Sequence, residues 1–233
     1  MQHGWWLVQD ADMATRPATT LLLVAGSTPT AVRVGISAQT LHTIGQHGTE
    51  LALWQRPGWA GTDWLNALPA DALPTARLTL EPHQAWDAVH AICDACNTPH
   101  HPARDEFVAD VAAHVAVFAK LTGSNTVRLR LDLVNHNACS RWHRDCVSLR
   151  LICTYRGPAT QWVLSEWAHQ VLARPDDDTL HAQAMTTGDV AMFKGCGWPG
   201  QPHDGGIVHR SPRISGSGLT RLVLVLDSPP NGR

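Results

Sequence analysis

His143 and Asp145 stand two residues apart in Cys139–Val163, CSRWHRDCVSLRLICTYRGPATQWV. On an extended segment side chains repeat with period two, so an imidazole and a carboxylate at that spacing point the same way. Two such groups on one face grip a metal ion but do not close its site. A third ligand is offered by His209 in GGIVHRSP, and beyond it Arg221 opens the apolar run LVLVLD. Two imidazoles and one carboxylate on one side of a metal make the facial triad that suits Fe(II) and leaves three positions open. A guanidinium fixed nearby pairs with a carboxylate through two bonds and stays charged. Arg210 and Arg213 compete with Arg221 for that task, but from a loop. The plain reading is a set of satisfied polar residues at the rim of a β structure. The chain has 14 His, so one His-x-Asp by chance is unremarkable. Order raises the signal: the pair lies between two strand patterns, the second histidine follows a Gly-Asp turn, a strand and a loop, and the arginine begins the last strand.

Those strands are read from periodicity. From Thr126 onward, Val127, Leu129, Leu131 and Leu133 alternate with Arg128, Arg130 and Asp132, which marks a half-buried strand. Further strands are expected at Ser148–Tyr155, Gln161–Ser165, Ala184–Thr186, Val190–Lys194, Ile207–Arg210 and Arg221–Asp227, with Gly157-Pro158 and Gly188-Asp189 as turns. About seven short strands with Gly and Pro turns suggest a sandwich or jelly roll. Before them, Asp105–Leu121 carries Phe107, Val108, Val111, Ala112, Val115, Phe118 and Ala119 on one helical face, stopped by Gly123. His83–Cys96 is a second helix and Thr62–Leu68 a short one. Glu50–Gln55 is a strand. Residues 1–30 read as weakly ordered, with one short strand at Leu21–Ser27 (LLLVAGS). Gly195–Gly206, with Trp198 inside it, is either a substrate loop or an ordinary long connection.

Composition bounds the partners. The 233 residues carry a net charge of −2, with Lys and Arg scattered, so no basic stripe indicates nucleic acid. The N-terminus has no signal pattern and no apolar run long enough to span a membrane. Six cysteines in such a chain are expected to be reduced and the protein cytoplasmic. Cys93 and Cys96 with His100 and His101 invite a zinc site. The pair shares one face of a helix, however, and packing as small hydrophobes is the preferred reading. Cys139 and Cys146 flank the presumed metal loop as possible thiolate ligands. The 10 Trp against 3 Phe and 1 Tyr are read mostly as core residues.

The order HRD…GD…H…R resembles the 2-oxoglutarate/Fe(II) dioxygenase superfamily, and RGPATQW is similar to a glycine-then-Thr hairpin found there. More narrowly, CSRWHRDCVSLRLICTYRGPATQWV, TTGDVAMFKG, GGIVHRSP and RLVLVLD resemble the bacterial family called domain of unknown function 1826. The family resemblance implies His143, Asp145 and His209 as shared metal positions. The superfamily resemblance implies Arg221 as the partner of the far carboxylate of 2-oxoglutarate. Its second cosubstrate contact is not fixed by the motif, and Tyr155 and Arg130 are the candidates. The expectation is therefore an α+β chain. It has a double-stranded β-helix (jelly roll, cupin-like) core over residues 101–233, and residues 1–100 wrap it as an N-terminal α/β extension. The expected activity is Fe(II)- and 2-oxoglutarate-dependent hydroxylation of a small-molecule, amino-acid or peptide substrate. The alternative is a cupin-like Zn or Mn protein, either an isomerase, a hydrolase or a binding module.

Overall fold

The structure, a computed structural model, describes residues 31–177, 182–202 and 204–228. The expectations for residues 1–30, including the strand at Leu21–Ser27, lie outside them. The strands in chain order are β1 (Val32–Gly35), β2 (Leu51–Trp54), β3 (Ala76–Leu80), β4 (Val127–Val134), β5 (Leu149–Arg156), β6 (Gln161–Trp162), β7 (Gln183–Ala184), β8 (Val190–Lys194), β9 (His209–Arg210) and β10 (Arg221–Asp227). The helices are α1 (Thr62–Ala67), α2 (Ala85–Ala95), α3 (Pro102–Thr122) and α4 (Ser165–Ala173).

Seven strands form one sheet in the order β1-β2-β8-β5-β10-β4-β3, and three form a second in the order β7-β6-β9. Among the described residues only β1 and β2 pair in parallel. The chain is thus mixed α+β around a large sheet. The sequence of β10, RLVLVLD, explains how that sheet divides the molecule. A strand buried on both faces reads as an unbroken apolar run. Leu222, Leu224 and Leu226 point into a core shared with Phe107, Val111 and Phe118 of α3 and with Val89 of α2. Val223 and Val225 point the other way, into a smaller core shared with Ile152, Phe193, Ile207 and Trp162 of the second sheet. Arg221 and Asp227 have the parity of those valines, so the two charges of the strand lie on the face turned away from the helices.

Helix α3 follows its apolar stripe. His101 caps it, accepting from the Ala103 backbone N–H, and Gly123 ends it in the left-handed region at φ 65°. Two elements differ from the sequence expectation. Residues 165–173 form α4 rather than a strand tail, since Ala168 and Val171 are buried together one turn apart. Residues 76–80 form β3, which completes the edge of the sheet by pairing with β4, Leu78 opposite Leu129 and Arg77 opposite Arg130. No helix among the described residues is long and apolar enough to cross a membrane.

Candidate metal centre

His143 and His209 are held side by side by the backbone. Each donates its N–H to the other's carbonyl, at 3.1 and 3.0 Å, in an isolated antiparallel bridge at the edge of β9. Residues paired this way carry their side chains on one face, and the two rings lie 4.6 Å apart between centroids. Asp145, two residues beyond His143, turns the same way. The ligand-capable atoms of the three residues all lie within 4.8 Å of one another, and they are the one group of three or more His, Cys, Asp or Glu so clustered among the described residues. Asp145 and His209 are buried, whereas the His143 side chain is about one-third exposed.

Each imidazole places its Nδ1 against a backbone carbonyl two residues earlier, His143 on Arg141 at 2.8 Å and His209 on Ile207 at 3.2 Å. With Nδ1–H donating there, each Nε2 carries a lone pair into the centre of the cluster. Asp145 meets them with Oδ1 3.9 Å from His143 Nε2 and Oδ2 3.3 Å from His209 Nε2. Oδ2 is buried and accepts no hydrogen bond among the described residues. Burial, then the neighbouring His209, pushes the His143 imidazole below its ordinary value, so it is neutral near pH 7. Burial alone would raise the Asp145 carboxyl, but His209 and Arg150 outweigh it and hold it at about 2. Two imidazole nitrogens and an orphaned carboxylate oxygen therefore converge as acceptors, and a cation satisfies all three at once.

Arg150 on β5 was not singled out by the sequence reading. Its guanidinium is bonded to Asp145 Oδ1 and also grips both oxygens of Asp227, at 2.7 and 3.0 Å. It fixes one oxygen of Asp145 and leaves the other facing the histidines. The signal was available, because Arg150 sits between Leu149 and Leu151 with the parity of the site face. Behind the same segment, Gly195 packs backbone to backbone. A Cβ there would stand 2.2 Å from the Val147 carbonyl and 2.6 Å from that of Asp145. Arg144 Nε donates to the Gly206 carbonyl at 3.1 Å. The connection from Gly195 to Gly206 is thus anchored at both ends on the loop that carries Asp145.

A cavity of about 220 Å³ opens beside the cluster, lined in part by His143, His209, Arg221, Thr160, Ile152 and Val223. Arg221 is 2% exposed. Its Nε donates to the Pro158 carbonyl at 2.7 Å, and among the described residues no carboxylate pairs with it. Burial pulls it down to about 10, with only the Cys139 thiol acting against that. The Gly157-Pro158 turn that supplies its carbonyl depends on Gly157, at φ 76°, where a Cβ would meet the Thr220 carbonyl at 2.5 Å.

Arg130 also lines the cavity, from β4. Tyr155 does not, and its expected role as a cosubstrate contact is corrected. It shares parity with Leu149, Leu151 and Cys153 and enters the helix-side core, where its hydroxyl donates to Asp110 on α3 at 2.7 Å. Arg213 is bound to Asp176 at the surface. Arg210 lies over the Trp142 ring at 4.3 Å and bonds Gln161. Cys93 is packed in the core and Cys96 against Thr75. His101 is occupied as a helix cap stacked on Trp64, so the four do not converge.

Solved structures to which the chain is similar include a rice dioxygenase for auxin oxidation, at 15% identity and a TM-score of 0.41, covering 86% of each chain. A Pseudomonas putida prolyl-4-hydroxylase follows at 14% identity and 0.39, over 84% of this chain and 93% of that one. The 2-oxoglutarate complex of the Arabidopsis thaliana dioxygenase for auxin oxidation 1 is similar at 10% and 0.37, over 76% and 75%. No curated protein sequence matches the chain. Residues 35–227 match the family described as protein of unknown function (DUF1826), and the chain belongs to that family.

Proposed function

We propose that the chain is a non-haem oxygenase that uses Fe(II) and 2-oxoglutarate to hydroxylate a small-molecule, amino-acid or peptide substrate. One observation carries the reading. The cluster of His143, Asp145 and His209 opens on the same cavity as a buried guanidinium, Arg221, that has no carboxylate partner among the described residues. A buried unpaired charge is costly unless a ligand completes it. The fold supports the same reading. β4, β5, β8 and β10 lie in the large sheet, while β6, β7 and β9 form the small one with His143 bridged to β9, an arrangement that supports the jelly-roll reading. In this reading residues 101–233 carry the core, and the described part of residues 1–100 wraps it, β2 and β3 extending the large sheet on either side.

The donor set fits Fe(II): neutral imidazole and carboxylate ligands on one side leave the other side open. Held by His143, Asp145 and His209, the metal would supply, with 2-oxoglutarate and dioxygen, the oxidising chemistry that puts one oxygen atom into a C–H bond and the other into succinate, with loss of carbon dioxide. Arg221 binds the far carboxylate, held in place by Pro158. Ile152, Val223 and Val225 line the cavity and would keep water off the cosubstrate's carbon chain. Arg150 holds Asp145 so that one oxygen stays directed at the metal position.

The test is anaerobic titration of the purified protein with Fe(II) and 2-oxoglutarate, following the weak charge-transfer band in the visible. A band requiring both, absent in His143→Ala and Arg221→Ala, is the expected result. Absence of the band with Zn bound at the same histidines overturns the oxygenase reading in favour of the cupin-like alternative.

A further inference from the structure

Of the six cysteines, Cys146 and Cys196 are both in contact and open to solvent. Cys146 follows the candidate ligand Asp145 and is exposed, and the half-buried Cys196 lies at the start of the connection from Gly195 to Gly206. The other four differ. Cys93 and Cys153 are closed to solvent. The Cys96 sulfur accepts from the Thr75 backbone N–H, and the exposed Cys139 has Arg150 and Arg221 as neighbours.

The backbone sets the pair. The Cys196 N–H donates to the Asp145 carbonyl at 3.0 Å, and Gly195 and Gly197 on either side donate to the Ser148 and Val147 carbonyls at 3.0 and 3.2 Å. Glycine permits this approach, since a Cβ on Gly197 would stand 3.1 Å from the Val147 carbonyl carbon. The Asp145 carbonyl belongs to the peptide that carries Cys146. One hydrogen bond and part of that peptide therefore separate the two Cα atoms, at most about 7 Å with standard bond lengths. A disulfide spans about 4.4–6.8 Å between Cα atoms, provided that the side chains face each other. Here they do, because the two thiols hydrogen-bond to each other. A bond between them thus needs little movement of the backbone. It would also act on Asp145, whose own carbonyl is the acceptor for Cys196.

We infer that Cys146 and Cys196 are a redox clasp, a dithiol that peroxide closes to a disulfide, fixing the Asp145 segment to the Gly195–Gly206 connection and slowing the release of a metal from the centre. Hydrogen peroxide oxidises the exposed Cys146 thiol to a sulfenic acid, and one water leaves. The Cys196 sulfur then attacks that sulfur, the S–S bond forms, the S–O bond breaks and a second water leaves. Two thiols and one hydrogen peroxide give one disulfide and two waters, and a thiol reductant reverses the change. The clasp does not rest on the oxygenase reading; its effect needs only a metal held by His143, Asp145 and His209.

The experiment treats the full chain, kept in chelator, with hydrogen peroxide, removes the peroxide and maps the cysteines by mass spectrometry. The free thiols are expected to fall by two from six, with one cross-linked peptide joining Cys146 to Cys196, and dithiothreitol is expected to restore them. The link closes a loop of about 50 residues, so Tm is expected to rise by about 5 °C or more. In Cys196→Ser, Cys146 is expected to stop at the sulfenic acid, trapped by dimedone, whereas Cys139→Ser forms the link as the unaltered chain does. Co(II) is then loaded and its transfer to chelator timed in the oxidised protein and in the double variant Cys146→Ser, Cys196→Ser, which has neither the link nor a thiol there to ligate the metal. Transfer is expected to be several-fold slower from the oxidised protein. A different pairing, no pairing, or pairing only in denaturant overturns the inference. So does a lowered Tm on oxidation, or equal rates of Co(II) transfer. Failure of both proteins to bind Co(II) overturns it together with the metal centre.

Discussion

A carboxylate ligand has two oxygens, and what a metal site does depends on which of them is free. Arg150 takes Oδ1 of Asp145 and is itself clamped by both oxygens of Asp227, a residue 3% exposed at the end of β10. Burial alone would lower the Arg150 guanidinium, but Asp227 and Asp145 outweigh it and raise it, so the pair stays ionised at any working pH. The partners of a metal-binding carboxylate commonly matter for affinity about 10- to 100-fold. Arg150→Met is therefore expected to weaken Fe(II) or Co(II) binding by about that factor, while Asp227→Asn weakens it less, since Asn keeps one acceptor for the arginine. Anaerobic metal titration decides it, and unchanged affinity in Arg150→Met removes the positioning role. The same change made at Arg77, which bonds Asp132 rather than Asp145, is expected to leave metal affinity alone.

At the scale of elements, the large sheet is stapled to α3 through a buried polar cluster on the face opposite the candidate metal centre. Asp110, in the middle of α3, accepts from Arg56 at 2.7 Å and from the Tyr155 hydroxyl at 2.7 Å, with His114 one turn on at 3.3 Å. Burial would raise the Asp110 carboxyl, but His114 and Arg56 outweigh it and hold it well below the usual carboxylate range. A carboxyl whose folded value lies below its unfolded value, about 3.9, lends stability that is present above that value and lost as pH falls toward the folded one. Thermal unfolding followed from pH 5 to pH 2 is expected to show this loss beginning near pH 4. Asp110→Asn is expected to be less stable at pH 7 and to lose less on acidification. Parallel curves for the two proteins would remove the staple from the acid response. The elements were unevenly legible. α3 announced itself because its stripe from Phe107 to Ala119 spans more than three turns and the helix ends on glycine, and β10 because both its faces are apolar. β3 was hidden by Pro74 and Pro82 on either side, its pairing being supplied only by β4. α4 was missed because QWVLSEW carries a strand pattern straight into a helix whose buried residues are only Ala168 and Val171. The convergence of His143, Asp145 and His209 was visible in motif order. The roles of Arg150 and Tyr155 depended on strand parity, which the alternation of Leu149, Leu151 and Cys153 already carried.

Across the whole molecule, one sheet separates two tasks. Its helix-side face holds the larger apolar core, and its other face holds the smaller core, the cavity and the charges. Cohesion therefore depends little on the site, while the site draws its rigidity from strands fixed on the opposite side. The candidate metal centre shows what this separation means for stability. Three acceptors are held together there, and Asp145 Oδ2 is buried without a donor among the described residues. A cation that binds only the folded chain stabilises it by about 2.7 kcal/mol when its concentration is 100 times its Kd. For a domain of this size that corresponds to roughly 5–10 °C in Tm. Metal-loaded protein is expected to melt higher than protein in excess chelator by about that amount. In His209→Ala the two curves are expected to coincide, because the remaining imidazole and carboxylate offer too few ligands on one side. Arg150→Met should fall between, its gap reduced by the loss in metal affinity but its chelated Tm lowered only by the strain of leaving Asp145 and Asp227 without their shared cation. A chelator effect of equal size in His209→Ala would place the bound metal somewhere other than this centre.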